Sequence, residues 1–367
     1  MNFMCKKSEL SKAIGNVSKA IPSKTNIQTL EGIKVKIIPG TVELTGYNLE
    51  MGIRTSIDAI TSDNCEFVVD ARLFNEFTKK MNGDDIKVDI DENNVIRISS
   101  LNTECSFSAM SAENYPEMPI IDSEMGLIIK QSVLASMINQ TTYATSTNES
   151  KPVLTGELFD IEDGNFNMVA IDGFRLAIRT ENIDNKEKYH FVVPQKTLTE
   201  VSSLIKKDSE KDCVIYTNDR HIVFEINGFF VISRLLDGVF HNYKMSIPNS
   251  HKTEVIVDKK DLSTCLERCS LIINEKNKAP VRCEIGGGVM KISCKTGIGK
   301  VNDAISADIT GETVTIGFNN RFVLEALKAA DGDKVRIRLN DVNSAIEIIP
   351  QNGDNHISLV MPIQLKK

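Results

Sequence analysis

The side chains best suited to catalysis or metal binding are five histidines (His190, His221, His241, His251, His356) and eight cysteines, and none stands at a productive spacing. No histidine sits in an H-E-x-x-H pattern or at a ligand-like interval from a cysteine or carboxylate. Cys5, Cys65, Cys105, Cys213, Cys265, Cys269, Cys283 and Cys294 form no C-x-x-C pair; Cys265 and Cys269, four apart, share a helical face and read as buried filler. Gly297-Ile298-Gly299-Lys300 has the look of a phosphate-loop fragment, but it lacks the four-residue spacer and the Ser/Thr such a loop needs. Gly286-Gly287-Gly288 suits a hairpin turn. Asp84-Asp85 and Asp89/Asp91 could pair around a cation, yet in a hairpin they serve better to keep a strand edge soluble. No serine occupies G-x-S-x-G. These residues give no positive ground for an enzyme, a metal or a cofactor.

The chemistry that remains is charge. Six segments with helical patterning, 8–20, 70–82, 128–142, 194–207, 259–271 and 319–330, hold 14 Lys or Arg against 7 Asp or Glu, so the rest of the chain must carry −14 to reach the net −7. Basic helices on an acidic protein suit a nucleic-acid-facing surface whose exterior repels the duplex. The plainer alternative is that helices accommodate lysine well. Lys24, Lys151, Lys196, Lys206 and Lys207 extend the positive set. No helix-turn-helix, zinc-finger or RNP-like pattern is present, which argues against base-specific reading.

The elements that would carry these charges recur. Phe67-Val68-Val69-Asp70 returns as Phe191-Val192-Val193-Pro194 and, more loosely, as Thr315-Ile316-Gly317-Phe318, each step being 124 residues. Leu44, Met168 and Ile292 end strand-like runs at the same offset, with Asn48, Asp172 and Thr296 four residues later. Each unit opens with a helical segment: Leu10, Ile14, Val17 and Ile21, then Val133, Leu134, Met137 and Ile138, then Leu262, Leu266, Cys269 and Leu271. Ser8, with Glu9 and Ser11, offers N-capping chemistry for the first. A second helix follows the Phe-Val-Val strand, carrying Leu73, Phe74, Phe77 and Met81 in unit one. Alternating runs such as Gly32–Ile37 and Val95–Ile98 supply antiparallel strands. The class is α+β, two helices laid on antiparallel sheet in each of three repeats. Linkers are expected at 115–119 and 243–248, dividing the chain into 1–121, 122–248 and 249–367.

The length suits two or three domains. The 41% hydrophobic and 25% charged content are those of an ordinary globular protein. No run of about 18 apolar residues spans a membrane, and the N-terminus lacks a signal-peptide stretch, so a cytoplasmic location is expected.

Four separated stretches carry a resemblance: Leu44–Met51 (LTGYNLEM), Ala170–Ala177 (AIDGFRLA), Leu236–Tyr243 (LDGVFHNY) and Val360–Leu365 (VMPIQL). Together they resemble the bacterial sliding-clamp family, the beta subunits of DNA polymerase III, over the whole chain in order. The resemblance implies a head-to-tail homodimer closing six similar domains into a ring, helices lining the hole and strands forming the wall and seams. It implies a processivity factor with no catalysis, cofactor or metal of its own. Its partners would be encircled double-stranded DNA, a second copy of itself, the replicative DNA polymerase alpha subunit, the clamp-loader complex and other clamp-motif proteins of replication and repair. No membrane is implied, and the location is cytoplasmic and nucleoid-associated.

Carried over position by position, the DNA-facing set is Lys12, Lys24, Arg72, Lys79, Lys80, Asn148, Lys151, Lys196, Lys206 and Lys207. The implied peptide pocket comprises Leu154, Ile171, Gly173, Phe174, Arg175, Leu176, His241, Ser246, Phe322, Ser344, Leu359, Met361, Pro362 and Ile363. The seam would involve Leu73, Cys105 and Phe107 on one side and Leu271, Ile272 and Ile273 on the other. The chain departs from the family at several of these places. His241 and Ser246 replace a frequent proline and a larger aliphatic residue, Phe174 a histidine, Ile171 a threonine, and Gln195 a basic residue. Lys24 and Lys151 stand where arginine is common, keeping the charge without the bidentate fork. Without the resemblance, the pocket residues read as interdomain core, and an open peptide-recruiting scaffold or an enzyme between repeats stays possible.

Overall fold

The computed structural model describes residues 1–121, 126–274, 276, 278–353 and 355–365. Each third of the chain follows one order: a strand, a helix, a run of strands, a second helix and three more strands. The helices are α1 (Lys7–Val17), α2 (Ala71–Lys80), α3 (Gln131–Thr141), α4 (Gln195–Leu204), α5 (Lys259–Ser270) and α6 (Asn320–Ala329). Of the expected stripes, Leu10, Ile14 and Val17 on α1 and Leu262, Leu266 and Cys269 on α5 are buried, as is Cys265, but Ile21 lies beyond α1 half-buried and Leu271, just past the end of α5, is 79% exposed. Burial pushes the Cys265 thiol up to about 12, which suits an inert filler.

The repeat differs from expectation at its start. Each repeat begins with a strand, Asn2–Lys6, Leu127–Lys130 or Thr253–Asp258, not with a helix. These strands run directly into the helical stripe, so their two-residue alternation is too short to stand out. Ser8 lies within the first turn of α1; the cap position is Lys6, which makes no side-chain bond. The caps of the other helices are sharper: Asp70 accepts from Leu73 N at 2.7 Å and Asp258 from Asp261 N at 3.0 Å.

The third repeat is also one residue out of step. Asn319 caps α6 by accepting from Arg321 N, so the counterpart of Phe67-Val68-Val69 is Ile316-Gly317-Phe318. The extra residue falls where the third repeat inserts an additional strand, Asp308–Gly311. The recurring Asn48, Asp172 and Thr296 prove to be turn formers between the third and fourth strands. Asn48 Oδ1 accepts from Glu50 N and Met51 N, Asp172 Oδ1 from Phe174 N and Arg175 N, and Thr296 Oγ1 from Ile298 N.

Hairpins account for the loops that had suggested phosphate or metal. Gly287 and Gly288, at φ +60° and +77°, connect Val281–Gly286 to Val289–Thr296, and Gly297-Ile298 is the next two-residue turn. The strand Asp85–Ile90 is no edge: it lies between Asn2–Lys6 and Val95–Ser100. Its acidic residues are engaged locally, Asp85 with Lys6 at 2.8 Å and Asp89 with Lys87 at 2.7 Å.

The chain forms two compact units whose limits follow the sheets rather than the repeats. Unit one (Met1–Leu134 with Thr199–Leu235) holds a twelve-stranded sheet in which Met51–Asp58 of the first repeat pairs antiparallel with Phe229–Arg234 of the second. Unit two (Ala135–Leu198 with Leu236–Lys367) holds a nine-stranded and a four-stranded sheet. In the former, Arg175–Asn182 pairs with His356–Val360 by the same rule. In both places a sheet runs through the repeat boundary. The expected linkers are likewise fastened: the buried Tyr115 and Tyr243 donate their hydroxyls to Thr45 O at 3.3 Å and Asp160 Oδ2 at 2.6 Å.

Two of the buried titratable groups in unit two shift in opposite directions. Glu157 is fully enclosed and accepts from the Thr141 hydroxyl; burial drives its pKa up to about 7 against that bond. His356, also buried, donates Nε2–H to Gln140 O (3.1 Å), while burial and then the Arg179 charge depress it to about 4. The signs are opposite. Glu157 contributes stability below its ordinary 4.5 that is lost as pH rises through 7, whereas His356 contributes above 6.5 and loses it as pH falls toward 4. Glu157→Gln is therefore expected to raise stability at pH 8 by on the order of 3 kcal/mol and to change little at pH 4.5. Equal shifts in Tm at the two pH values would contradict this.

Candidate peptide groove and charged surface

The hairpin Asn165–Ile171/Arg175–Asn182 turns through Asp172-Gly173-Phe174, with Gly173 at φ +92°, where a side chain is disfavoured. Asp172 holds this turn and also accepts Arg175 Nε at 2.9 Å. The Arg175 guanidinium bonds Glu325 as well, and it stacks 4.4 Å from the Phe322 ring and 5.4 Å from Tyr143. A second chain segment runs alongside: past the strand His356–Val360, Met361 N donates to Phe174 O (2.8 Å) and Ile363 N to Gly317 O (2.7 Å). The third wall is the short turn Tyr243–Ser246. It is moored by Asp160, which takes bonds from Tyr243 and from His190 Nδ1 (3.2 Å) and pairs with Lys244 at 3.3 Å. Burial alone would raise the Asp160 pKa, but these donors outweigh it and hold the carboxyl below its usual value.

Between these walls opens a cavity of about 320 Å³ lined by Leu154, Ile171, Gly173, Arg175, Leu176, His241, Ser246, Leu359 and Met361, with Lys151 and Ala345. Its floor is aliphatic, and apart from Lys151 its charged and ring groups are committed: Arg175 to two carboxylates, and His241 Nε2 to Ser246 Oγ at 3.3 Å. It can hold an apolar side chain and offers no nucleophile. Five other expected pocket residues do not line it. Phe174 projects from the turn, 65% exposed; Phe322 stacks on Arg175; Ser344 donates its backbone N–H to the turn-capping Asp341 Oδ1. Pro362 lies outside the cavity, and Ile363 lines a neighbouring one of about 530 Å³ with Ile273, Lys278 and Arg321. Sequence reasoning missed Ala345 and put Lys151 only in the DNA-facing set. The Asp160–Tyr243 mooring was invisible to it, since the partners lie 83 residues apart.

The expected DNA-facing residues are all exposed. Lys12, Arg72, Lys79, Lys80 and Lys196 are on helices, and Lys24, Asn148, Lys151, Lys206 and Lys207 on the connections around them. Among the described residues only Lys80 of this set makes a salt bridge, with Glu76 one turn back. Cations on or beside strands are more often paired, Lys34 with Glu66, Lys188 with Glu162 and Arg338 with Glu254, although Arg268 on α5 also pairs, with Asp303. The helices as observed carry 11 basic and 6 acidic residues, a smaller excess than the wider sequence windows gave but of the same sign. The other lysines and the arginine of the DNA-facing set make no salt bridge among the described residues, and Lys12 lies 5.5 Å over the Phe229 ring.

The seam residues are also accessible. Leu73 and Phe77 on α2 are half-buried, and Phe77 stacks on Phe107 with ring centroids 5.4 Å apart. Leu271 is 79% exposed, next to half-buried Ile272 and Ile273. Cys105, on the same strand as Phe107, is half-buried.

Among the described residues no group of histidine, cysteine and carboxylate is placed to hold a metal, and no helix is long and apolar enough to cross a membrane.

Comparison with known proteins places these features. Three family models match in succession: the N-terminal domain of the DNA polymerase III beta subunit over 1–119, its central domain over 128–242 and its C-terminal domain over 244–364. The chain is 30% identical to the beta sliding clamp of Halalkalibacterium halodurans, covering 99% of this chain and all of the relative. It is 29% identical to that of Bacillus subtilis with the same coverage. Among solved structures, the Bacillus subtilis clamp superposes with a TM-score of 0.96 at 29% identity over the whole of both chains. A DNA polymerase III beta subunit from Eubacterium rectale gives 0.95 at 30% identity, covering 99% of each.

Reversing two unpaired charges, Lys206→Glu with Lys207→Glu, is expected to make the dependence of log K on log salt for duplex binding shallower by about 1–2. A salt titration with an unchanged slope would remove these lysines from the DNA-facing set.

Proposed function

The chain belongs to the DNA polymerase III beta subunit family, and on that premise we propose that two copies join head to tail around duplex DNA and recruit replication proteins through the Leu176–Leu359 groove. As a member of the family it is a processivity factor, a non-catalytic accessory subunit that serves a polymerase on DNA. The finer reading takes 1–121, 122–248 and 249–367 as its three domains. It takes the unpaired lysines as the lining of the hole, and the replicative polymerase alpha subunit, the clamp loader and other clamp-motif proteins as occupants of the groove.

Two strands that, among the described residues, lack a partner along one side carry this reading. At each repeat boundary the fourth strand of one repeat pairs with the last strand of the next, Met51–Asp58 with Phe229–Arg234 and Arg175–Asn182 with His356–Val360. The fourth strand of the third repeat, Gly299–Ser306, pairs on one side only, with Val289–Thr296. The last strand of the first repeat, Thr103–Ser111, pairs along 103–108 only with Val95–Ser100. The strands that the rule would pair next are therefore the two that lack each other. Supplying them from separate copies satisfies both edges head to tail. The apolar residues beside them suit such a seam: Leu73, Phe77, Cys105 and Phe107 flank one edge, while Leu271, Ile272 and the 61%-exposed Ile298 flank the other.

The groove favours a short apolar segment laid along the extended chain at Met361–Ile363. Deleting Met361–Leu365 is expected to abolish stimulation of the polymerase while dimers persist by light scattering. Undiminished stimulation would take the groove assignment away, and a protein that is monomeric at working concentration would favour an open scaffold over a ring.

A further inference from the structure

The groove has a counterpart within the same chain. In unit two, Ile171 pairs across the ladder with Leu176, and Leu176 with Leu359. In unit one, Tyr47 pairs with Gly52, and Gly52 with Ile232, the same three places one repeat earlier. Here the Gly52 floor is covered, and the cavity beside Met118, about 290 Å³ and lined also by Arg54, Pro119, Phe230 and Ile232, includes neither Gly52 nor Tyr47. A Cβ on Gly52 would lie 2.6 Å from Met118 Sδ, 3.0 Å from the Tyr47 ring and 3.1 Å from Ile232 Cγ2. The Met118 thioether therefore rests on bare backbone where the other copy carries Leu176. Met118 follows the moored Tyr115 by three residues, and Ser246 follows the moored Tyr243 by the same interval. One linker thus delivers a long unbranched apolar side chain to the floor, and the other a small hydroxyl that leaves about 320 Å³ open. The two differences are matched: glycine with methionine, leucine with serine.

We propose that Met118 is a resident ligand that closes the first copy of the groove in cis, so that each chain presents partners with the second copy alone. The proposal rests on reading the Leu176–Leu359 surface as a peptide groove. Gly52 is its positioning residue, since a larger side chain there displaces the thioether. The occupant chemistry follows from the plug itself: an extended segment bringing one flexible apolar side chain, with a proline after it, as Met118-Pro119 does.

The test uses the full-length protein and a fluorescein-labelled peptide copying residues 113–121. Wild type is expected to bind one peptide per chain, and Leu359→Glu to abolish both this binding and polymerase stimulation. Gly52→Leu combined with Met118→Ser is expected to raise the stoichiometry to two. A stoichiometry of one in a double variant that keeps its Tm and dimerisation overturns the plug, as does failure of the wild type to take the peptide. If the double variant does not fold, the reverse exchange decides: Leu176→Gly with Ser246→Met should lose peptide and stimulation together, and retained binding overturns the proposal. Stimulation that survives Leu359→Glu refutes the groove reading, whatever the plug does.

Discussion

The antiparallel ladder between Met51–Asp58 and Phe229–Arg234, repeated between Arg175–Asn182 and His356–Val360, constrains everything else in the molecule. Backbone donors and acceptors on a buried strand must find partners, so each repeat's fourth strand is committed to the repeat that follows. That commitment explains why compact units cut across sequence repeats, each gathering part of the second. It also brings the turn Asp172–Phe174, the strand His356–Val360 and the segment after it to one place, which makes the groove. And because Gly299–Ser306, among the described residues, pairs only with Val289–Thr296, it leaves an edge that a second copy can satisfy.

Closure changes what the charged surface has to do. A non-specific contact with a Kd of roughly 10⁻⁴–10⁻⁶ M, formed at about 10⁸ M⁻¹s⁻¹, dissociates on the order of 10²–10⁴ times per second. An open binder with such contacts would leave within milliseconds. A ring can hold DNA that weakly, because leaving requires breaking a strand-paired seam. Lys12, Lys79 and Lys196 on the helices fit this division of labour: exposed and without a salt bridge among the described residues, they would attract phosphate without gripping it. The strand cations are mostly neutralised by local carboxylates such as Glu66, Glu162 and Glu254.

Much of this was legible in the sequence, and the exceptions are physical. The α+β class, six helices and hairpins such as that at Gly286-Gly287-Gly288 follow from periodicity and turn chemistry, and Asn48, Asp172 and Thr296 recur because a side-chain acceptor closes each turn. The short opening strands were hidden: Phe3 and Cys5 alternate for only a few residues before the α1 stripe begins. The register slip at Asn319 was hidden by loose similarity, and only the helix cap fixes it. In the groove, Leu154, Ile171, Leu176 and Leu359 were named on family likeness, since aliphatic residues alone cannot distinguish groove from core. Neither Asp160 beneath Tyr243 nor Met118 upon Gly52 could be read from sequence, because each depends on a contact between distant segments.

The most direct test of closure is retention on DNA of different topology. The protein is loaded onto a nicked circular plasmid at moderate salt, and bound protein is followed by gel filtration before and after one restriction cut. Encirclement predicts stable retention on the circle and rapid loss from the linear product, with the dimer intact afterwards. Equal loss from both forms would contradict it.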